Sequence, residues 1–559
     1  MKRLSTDSPA ATQRPALELA VFVGLVGLAS LVLLRQLTND ALGYPDADRI
    51  LMDGVFFRDF LADLPLLDPY AYIINYYGQY PALSIGYRPP FFPFVEGLFN
   101  LLLGVEIWSS RLALLTFALA GLTAFYLLLR RTFEGATAAV ATLFLVTTPF
   151  VAQYGWYTMA EVPVLAMALV TAYFFQRYMS DGRTLDLALT AIALVLALYT
   201  KQTALVLALW MLIYSIGALR LLEQLKQRRV WITVIIAAVA VLPLVAVTFW
   251  LSDQHMVQSV GVGKAASIEA KLQTDRLLAL PKQLYSLHLT PPVLALALIG
   301  ALWALMRRDG RVWFWLSFIA AVYLLFTYIA NHNSRYPIFW IPAFCALAAL
   351  PIGFTRPGTR LRQALIVLAV LIGVYQAWQL YAKVPKFATG YDEAAAYVLA
   401  HSTSPTVFFD GYNNGYFTYF MRAQDPQRSM WVLRGDKLLT STSIAGSNML
   451  EVHVEDAAGI DALLDRFGPQ FIVVESRNTV GPPVHTLLRE HLADSSDYKL
   501  AKTIPVDTGE PSTRQPLEDL ELLIYEYVNR REPTGGVLEL RLPVVGQTLQ
   551  IPLREIGSR

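Results

Sequence analysis

The chain of 559 residues is 55% hydrophobic and only 16% charged, with a mean hydropathy of +0.44. That apolar fraction lies above the globular range and points to a multi-span membrane protein. A net charge of +2 scattered in short clusters excludes a nucleic-acid-binding surface. The single cysteine, Cys345, excludes an internal disulfide and any cysteine-rich metal site.

Lys2, Arg3 and Arg14 precede the apolar run Ala16–Leu34, which is long enough to cross a bilayer and has no Ala-x-Ala-like site after it. It reads as an uncleaved first span with a cytoplasmic N-terminus. Residues 36–90 then form a first exterior loop. Within it Ile50, Leu51, Val55, Phe56, Phe57, Phe60, Leu61 and Leu64 follow a helical period, and Asp53, Arg58, Asp59 and Asp63 take much of the other side. This pattern predicts a helix lying in the membrane interface.

Further apolar runs follow at Leu112–Leu129, Ala136–Ala152, Val162–Phe175, Leu185–Tyr199, Ala204–Leu219, Trp231–Leu251, Pro292–Met306, Trp313–Ala330, Ile338–Ile352 and Ala364–Leu380. With the first, they predict about eleven transmembrane helices. Arg130 and Arg131, Arg177 and Arg183, the Arg220–Arg229 cluster, Arg307–Arg311 and Arg356–Arg362 fall in alternate loops, all on the side of the N-terminus. Asp46, Asp48, Glu161 and the C-terminal region then lie on the outer face of an inner, or plasma, membrane.

From about residue 384 the apolar runs shorten and helical and strand-like patterns alternate. Asp392–His401, Ala458–Arg466 and Pro483–His491 read as helices, and Thr406–Phe409, Phe471–Glu475 and Leu520–Val528 as strands. Gly535–Gly536 opens a hairpin of Val537–Val545 and Leu549–Arg554, turning near Gly546. The fold class is therefore a mostly α multi-span membrane protein, residues 1–383, with a C-terminal soluble α/β domain, residues 384–559.

The chemistry-bearing residues gather on the exterior side. Asp46 and Asp48, in Tyr44-Pro45-Asp46-Ala47-Asp48-Arg49, can act as a general base on an acceptor hydroxyl, or cap the helix that follows. Glu161 opens a span, where a carboxylate is expensive unless it faces a cavity or partner. Arg88, Lys201 and Arg335 are exterior cations in a chain whose other bases favour the opposite side, a combination suited to an anion. His255, His288 and His332 fall in exterior loops without metal-ligand spacing. A divalent ion held by loop carboxylates and one histidine stays open as a cofactor. No glycine-rich nucleotide-binding pattern is present, which favours a membrane-borne donor. In Phe408–Phe417 polar and aromatic residues follow a predicted strand, in a turn or a sugar-stacking loop. A transporter or flippase with an exterior sensory or binding domain is the competing class; it would carry its ionisable residues mid-span or show inverted repeats.

Pro45-Asp46, Tyr87-Arg88-Pro89-Pro90-Phe91, Ser110-Arg111-Leu112, Thr158–Pro163, Tyr199-Thr200-Lys201 and His332–Pro342, in that order, resemble the dolichyl-phosphate-mannose–protein mannosyltransferase superfamily of GT-C fold glycosyltransferases. That superfamily includes the bacterial family 39-type and aminoarabinose-transferase-like enzymes. The resemblance covers roughly residues 16–380. It implies transfer of a sugar from a polyprenyl-phosphate donor to a protein, lipid or glycan acceptor at the outer membrane face. It also implies Asp46 as catalytic aspartate, with Asp48 the near alternative, and Glu161 as second-loop acid. Arg88 and Lys201, joined by Arg335 and Tyr336, are implied for the carrier phosphate. The chain departs from the pattern at Ala47, where Glu is common, and at Tyr87 and Arg88, where some relatives hold a metal-binding Glu or His, so the resemblance leaves the question of a metal open.

Overall fold

The computed structural model describes residues 15–39, 43, 46–250, 273–329, 333–383, 387–441, 451–507, 519–530, 537–542 and 547–552. Tyr44, Pro45, His255, His332, Gly535, Gly536 and Gly546, on which expectations above fall, lie outside these residues.

Each of the eleven apolar runs is helical. Six helices are long and apolar enough to cross a bilayer: Pro15–Leu34, Ile107–Thr132, Glu161–Asp181, Arg228–Trp250, Tyr336–Phe354 and Arg360–Ala382. A seventh arises if Gly135–Thr147 and Pro149–Trp156 are one span, bent by 54°. Pro149 has no N–H to continue the upstream helix, and Thr148 before it is extended. The other four, Thr184–Thr200, Gln202–Gly217, Pro291–Met306 and Val312–Tyr328, are shorter. A sixteen-residue helix spans about 24 Å, against a hydrocarbon thickness of about 30 Å. Eleven apolar helices therefore stand where eleven spans were expected, with six or seven of full length.

The helices interlock through small residues and a shared core. Gly121 of Ile107–Thr132 rests on the backbone of Ala166, so the Glu161–Asp181 helix passes closer than any side chain at 121 would permit. The basic loops gather at one end of the bundle. There Arg131 pairs with Asp181 at 2.7 Å, Arg130 with Glu18 at 2.9 Å, and Arg311 donates to the Thr132 carbonyl. Arg229 donates to the carbonyl of Gly182 just past the same Glu161–Asp181 helix. Glu161 begins that helix, so the acidic candidates occupy the opposite end.

The C-terminal region carries a five-stranded sheet. Its order is Trp431–Arg434, Thr406–Asp410, Phe471–Glu475, Glu521–Tyr527, Tyr498–Pro505, with the first three parallel and the last two antiparallel to their neighbours. Val407 stands between Val432 and Phe471. The three parallel strands are buried along their whole length, which explains their nearly unbroken apolar sequence. Helices Tyr391–His401, Ala457–Phe467 and Pro483–Asp494 fall where predicted, and Val537–Leu542 pairs antiparallel with Gln547–Pro552. The Asn414–Gln424 helix, where a turn or sugar-stacking loop was expected, and the Trp431–Arg434 and Tyr498–Pro505 strands are additions.

The first-loop helix, Ala47–Asp63, forms as its periodicity predicts. It packs between helix Phe91–Leu103 and helix Asn414–Gln424, and its Asp48, Asp53 and Asp59 are buried while Asp63 stays exposed. Asp53 accepts from the Ser84 backbone N–H at 2.8 Å and from the Ser84 hydroxyl. Asp59 accepts from Arg422 and from the Tyr76 hydroxyl, and Asp63 from Tyr72 and Arg428. On its polar face Asp59 and Asp63 thus dock Arg422 and Arg428 from far along the chain, while Asp53 ties back to the first loop itself.

Candidate active site

Asp46 is the residue before helix Ala47–Asp63, yet its side chain makes no capping hydrogen bond. Its carboxylate is used laterally. Oδ1 accepts from Arg88 at 2.6 Å and Oδ2 pairs with Arg335 at 2.6 Å, while Arg88 also donates to the Asp46 carbonyl at 2.8 Å. Arg88 is presented by a turn closed onto the Ser84 carbonyl, and Asp53 holds Ser84 from the other side. Pro89 and Pro90 then lead into the next helix.

Glu161 is delivered by a different device. The chain leaves the Pro149–Trp156 helix through Tyr157 and Thr158, the latter at φ +53° and only 1% exposed. A β-branched residue there costs about 1–3 kcal/mol, so the surrounding packing must impose the turn. Glu161 follows, 1% exposed, with Oε1 at 2.5 Å from Lys201 Nζ and 3.2 Å from Arg335 Nε. Lys201 sits where helix Thr184–Thr200 ends in an extended residue, which turns its side chain inward. Arg335 precedes the short Tyr336–Trp340 turn, its backbone N–H accepted by Asn333 Oδ1. The Tyr336 ring lies 5.4 Å from Lys201 Nζ and 5.9 Å from the Arg335 guanidinium carbon.

The predicted residues Asp46, Glu161, Arg88, Lys201, Arg335 and Tyr336 thus meet, drawn from five stretches of the chain. Three cations face two carboxylates, leaving one positive charge in excess. Burial acts to raise the Asp46 carboxyl, but Arg88 and Arg335 overcome it and hold the group far below the usual carboxylate range.

Asp48 borders the cluster, near enough for Asp46 and Arg88 to act on its charge, but its contacts lie elsewhere. It is 3% exposed, its Oδ1 accepts from the Arg49 N–H at 2.6 Å, and its Oδ2 lies against Gly415. Burial raises its carboxyl to about 7, against the pull of Arg49. Arg49 itself donates to Asn414, the first residue of helix Asn414–Gln424.

Sequence reasoning missed the supports behind the cluster. His288, counted only as a loop histidine, is fully buried and contacts both the Arg335 segment and Phe150. Tyr416, also buried, interacts electrostatically with Asp48 and Tyr157, so helix Asn414–Gln424 contributes to this region. Nothing local in the sequence marks either one. For a divalent ion the donor set is unsuitable: Asp46 and Glu161 are ion-paired to Arg88, Lys201 and Arg335, whose charges repel a metal. Among the described residues no group of three or more His, Cys, Asp or Glu side chains is arranged to hold one.

Residues 87–247 match the sequence profile of the dolichyl-phosphate-mannose-protein mannosyltransferase family. No curated protein matches the chain. Among solved structures the chain is similar to ArnT from Cupriavidus metallidurans bound to undecaprenyl phosphate. The identity is 14%, over 90% of this chain and 97% of that one, with a TM-score of 0.56. The apo state of that protein gives 14% identity over 93% and 100% of the two chains, also at 0.56. The apo oligosaccharyltransferase of Archaeoglobus fulgidus matches at 10% identity over 82% of this chain and 69% of that one, at 0.50.

Proposed function

The chain has the GT-C fold, and from that premise we propose that it is a membrane glycosyltransferase. It takes a sugar from a polyprenyl-phosphate carrier and gives it to an acceptor hydroxyl on a protein, lipid or glycan. The Arg88, Lys201 and Arg335 cluster, one charge in excess of Asp46 and Glu161, carries this reading. A phosphate of the kind bound in the similar ArnT structure would neutralise that excess. Below Glu161, Val162, Leu165, Ala166 and Leu169 line an apolar cleft with Ala29, Leu33 and Val151, suited to a prenyl chain.

In the resting arrangement both oxygens of Asp46 are engaged by arginines, and a carboxylate so held is a weak base. The donor phosphate competes for Arg88 and Arg335 and releases Asp46. The freed carboxylate then accepts the proton of the acceptor hydroxyl as its oxygen attacks the sugar C1 from the face opposite the phosphate. The bond from C1 to the phosphate oxygen breaks, its electron pair leaves with the phosphate, and the sugar is transferred with inversion. Lys201, Arg88 and Arg335 stabilise the departing charge. Glu161 fixes Lys201 and Arg335. Asp48 turns toward Gly415, away from these cations, which favours Asp46 as the base.

The basic end of the bundle faces the cytoplasm in this reading, with the cluster and the domain from about residue 384 outside. The test is incubation of the purified protein with undecaprenyl-phosphate-linked sugars, following release of undecaprenyl phosphate. Wild-type turnover that Asp46→Asn abolishes is the expected result. Absence of turnover and of undecaprenyl phosphate binding by the wild type would overturn the proposal.

A further inference from the structure

We infer that His288 is a positioning residue that locks the segments carrying Arg335 and Glu161 into one frame. It lies in the turn Leu284–His288 ahead of helix Pro291–Met306 and is fully buried. Its Nε2 stands 2.7 Å from the Ser334 carbonyl, and the Trp340 indole donates to its Nδ1 at 3.1 Å. A donor to Nδ1 and an acceptor at Nε2 define a single neutral tautomer, with the proton on Nε2. Ser334 and Trp340 flank Arg335 on both sides, so His288 grips the loop before and after the guanidinium-bearing residue.

The same ring meets the other segment. Its centroid is 4.5 Å from that of Phe150, steeply inclined at 69°. Phe150 lies in helix Pro149–Trp156, which leads through the strained Thr158 to Glu161. The turn bearing His288 is anchored in its turn: Gln376 donates to the Thr290 hydroxyl at 3.1 Å and accepts from Thr147 at 2.9 Å. Arg335 must reach Asp46 and Glu161 at once, over 2.6 and 3.2 Å, and such a bridge tolerates little drift of its backbone. Burial holds the imidazole well below its ordinary value, at about 4, so it keeps both hydrogen bonds throughout the neutral range.

The role in donor binding rests on the glycosyltransferase reading; the role in positioning does not. Two variants separate them. His288→Phe keeps an aromatic ring against Phe150 and removes both hydrogen bonds, while His288→Gln retains a donor for the Ser334 carbonyl. Amide hydrogen exchange across 333–340 and affinity for undecaprenyl phosphate are measured for each in detergent between about pH 5.5 and 8.5. His288→Phe is expected to speed exchange in 333–340, and to weaken undecaprenyl phosphate, each by about tenfold. His288→Gln should restore both to within about threefold, and the sheet strands Thr406–Asp410 and Phe471–Glu475 should exchange as in the wild type. Unchanged exchange at 333–340 in His288→Phe overturns the inference. So does loss of a pH limb near neutrality in the variants, because His288 would then be a titrating acid–base group. If the wild type binds no undecaprenyl phosphate, the donor reading fails, and the exchange data still decide the role of His288.

Discussion

Arg422 and Asp59 lie 363 residues apart and form a two-pronged ion pair, 2.9 and 2.6 Å long, with almost no exposure on either side chain. Asp59 also accepts from the Tyr76 hydroxyl and from Arg58, both at 2.7 Å, so its two oxygens are engaged from three places. The Arg422 pair rivets helix Asn414–Gln424 to helix Ala47–Asp63, which Asp46 precedes. Removing Arg422 leaves the buried Asp59 with Arg58, 2.7 Å from its Oδ1 and partly exposed, as its remaining ion-pair partner. Arg422→Met should therefore lower stability by about 1.5–3 kcal/mol, the scale of lost hydrogen bonds to a charged group, read as a fall in thermal unfolding temperature in detergent. Pairing it with Asp59→Leu should recover most of the loss, because no stranded charge remains.

Gly415 and Asp48 make a close contact between the same two helices. A Cβ at 415 would collide with the Asp48 carboxylate, whose own Cβ would be 3.1 Å away. Alanine normally favours a helix over glycine by about 1 kcal/mol. Here Gly415→Ala should instead destabilise by about 1–3 kcal/mol. Asp48→Ala in the same chain should relieve the clash, leaving the double variant more stable than Gly415→Ala alone.

The buried carboxyls of Asp48 and Asp53 set the pH dependence of stability. Both are raised by burial, to about 7 and about 6, from an ordinary 3.8. A carboxyl raised in the folded state binds its proton more tightly there than when unfolded. Its contribution is full below the unfolded value and is lost as pH climbs through the folded value. Asp46, held far down by its arginines, works the other way, and its contribution is lost only in strong acid. The unfolding temperature should therefore fall as pH rises from about 5 to 8. Asp48→Asn should flatten that fall, and an unchanged slope would remove Asp48 from the explanation.

Arg335 is the one cation shared by both carboxylates of the cluster. Lysine cannot reproduce a planar, forked contact, so Arg335→Lys should weaken undecaprenyl phosphate by about tenfold despite keeping the charge. Lys201→Ala should raise the KM for donor more than that for acceptor. Equal effects on the two substrates would assign Lys201 to scaffolding through Glu161.

Much of this architecture is written locally. Bilayer-length apolar runs and basic loops are properties of short windows, which is why the eleven helices and the basic end of the bundle could be read directly. The periodicity of residues 50–64 likewise gave the first-loop helix. What it could not give was the partner of that helix's polar face. Asp59 and Asp63 had no legible partner because Arg422 and Arg428, which engage them, lie more than 350 residues away. The Asn414–Gln424 helix was read as a turn or sugar-stacking loop because Asn413-Asn414-Gly415 carries turn chemistry, which tertiary packing overrode. Ala136–Ala152 reads as one apolar run, and only the structure shows it bent by 54° at Thr148 and Pro149.

The sequence alone therefore determined the membrane character, the two-ended distribution of charge, and the arrival of Asp46, Glu161, Arg88, Lys201 and Arg335 at one end of the bundle. Only the tertiary structure decided which of them touch. Asp46 and Asp48 are two residues apart, and helical geometry turns such positions about 200° from each other. One carboxylate consequently meets Arg88 and Arg335 while the other is pressed against Gly415. Pattern and hydropathy are set by neighbours along the chain. Ion pairing at 2.6 Å is set by helix phase and by packing across hundreds of residues, and no window of sequence contains that information.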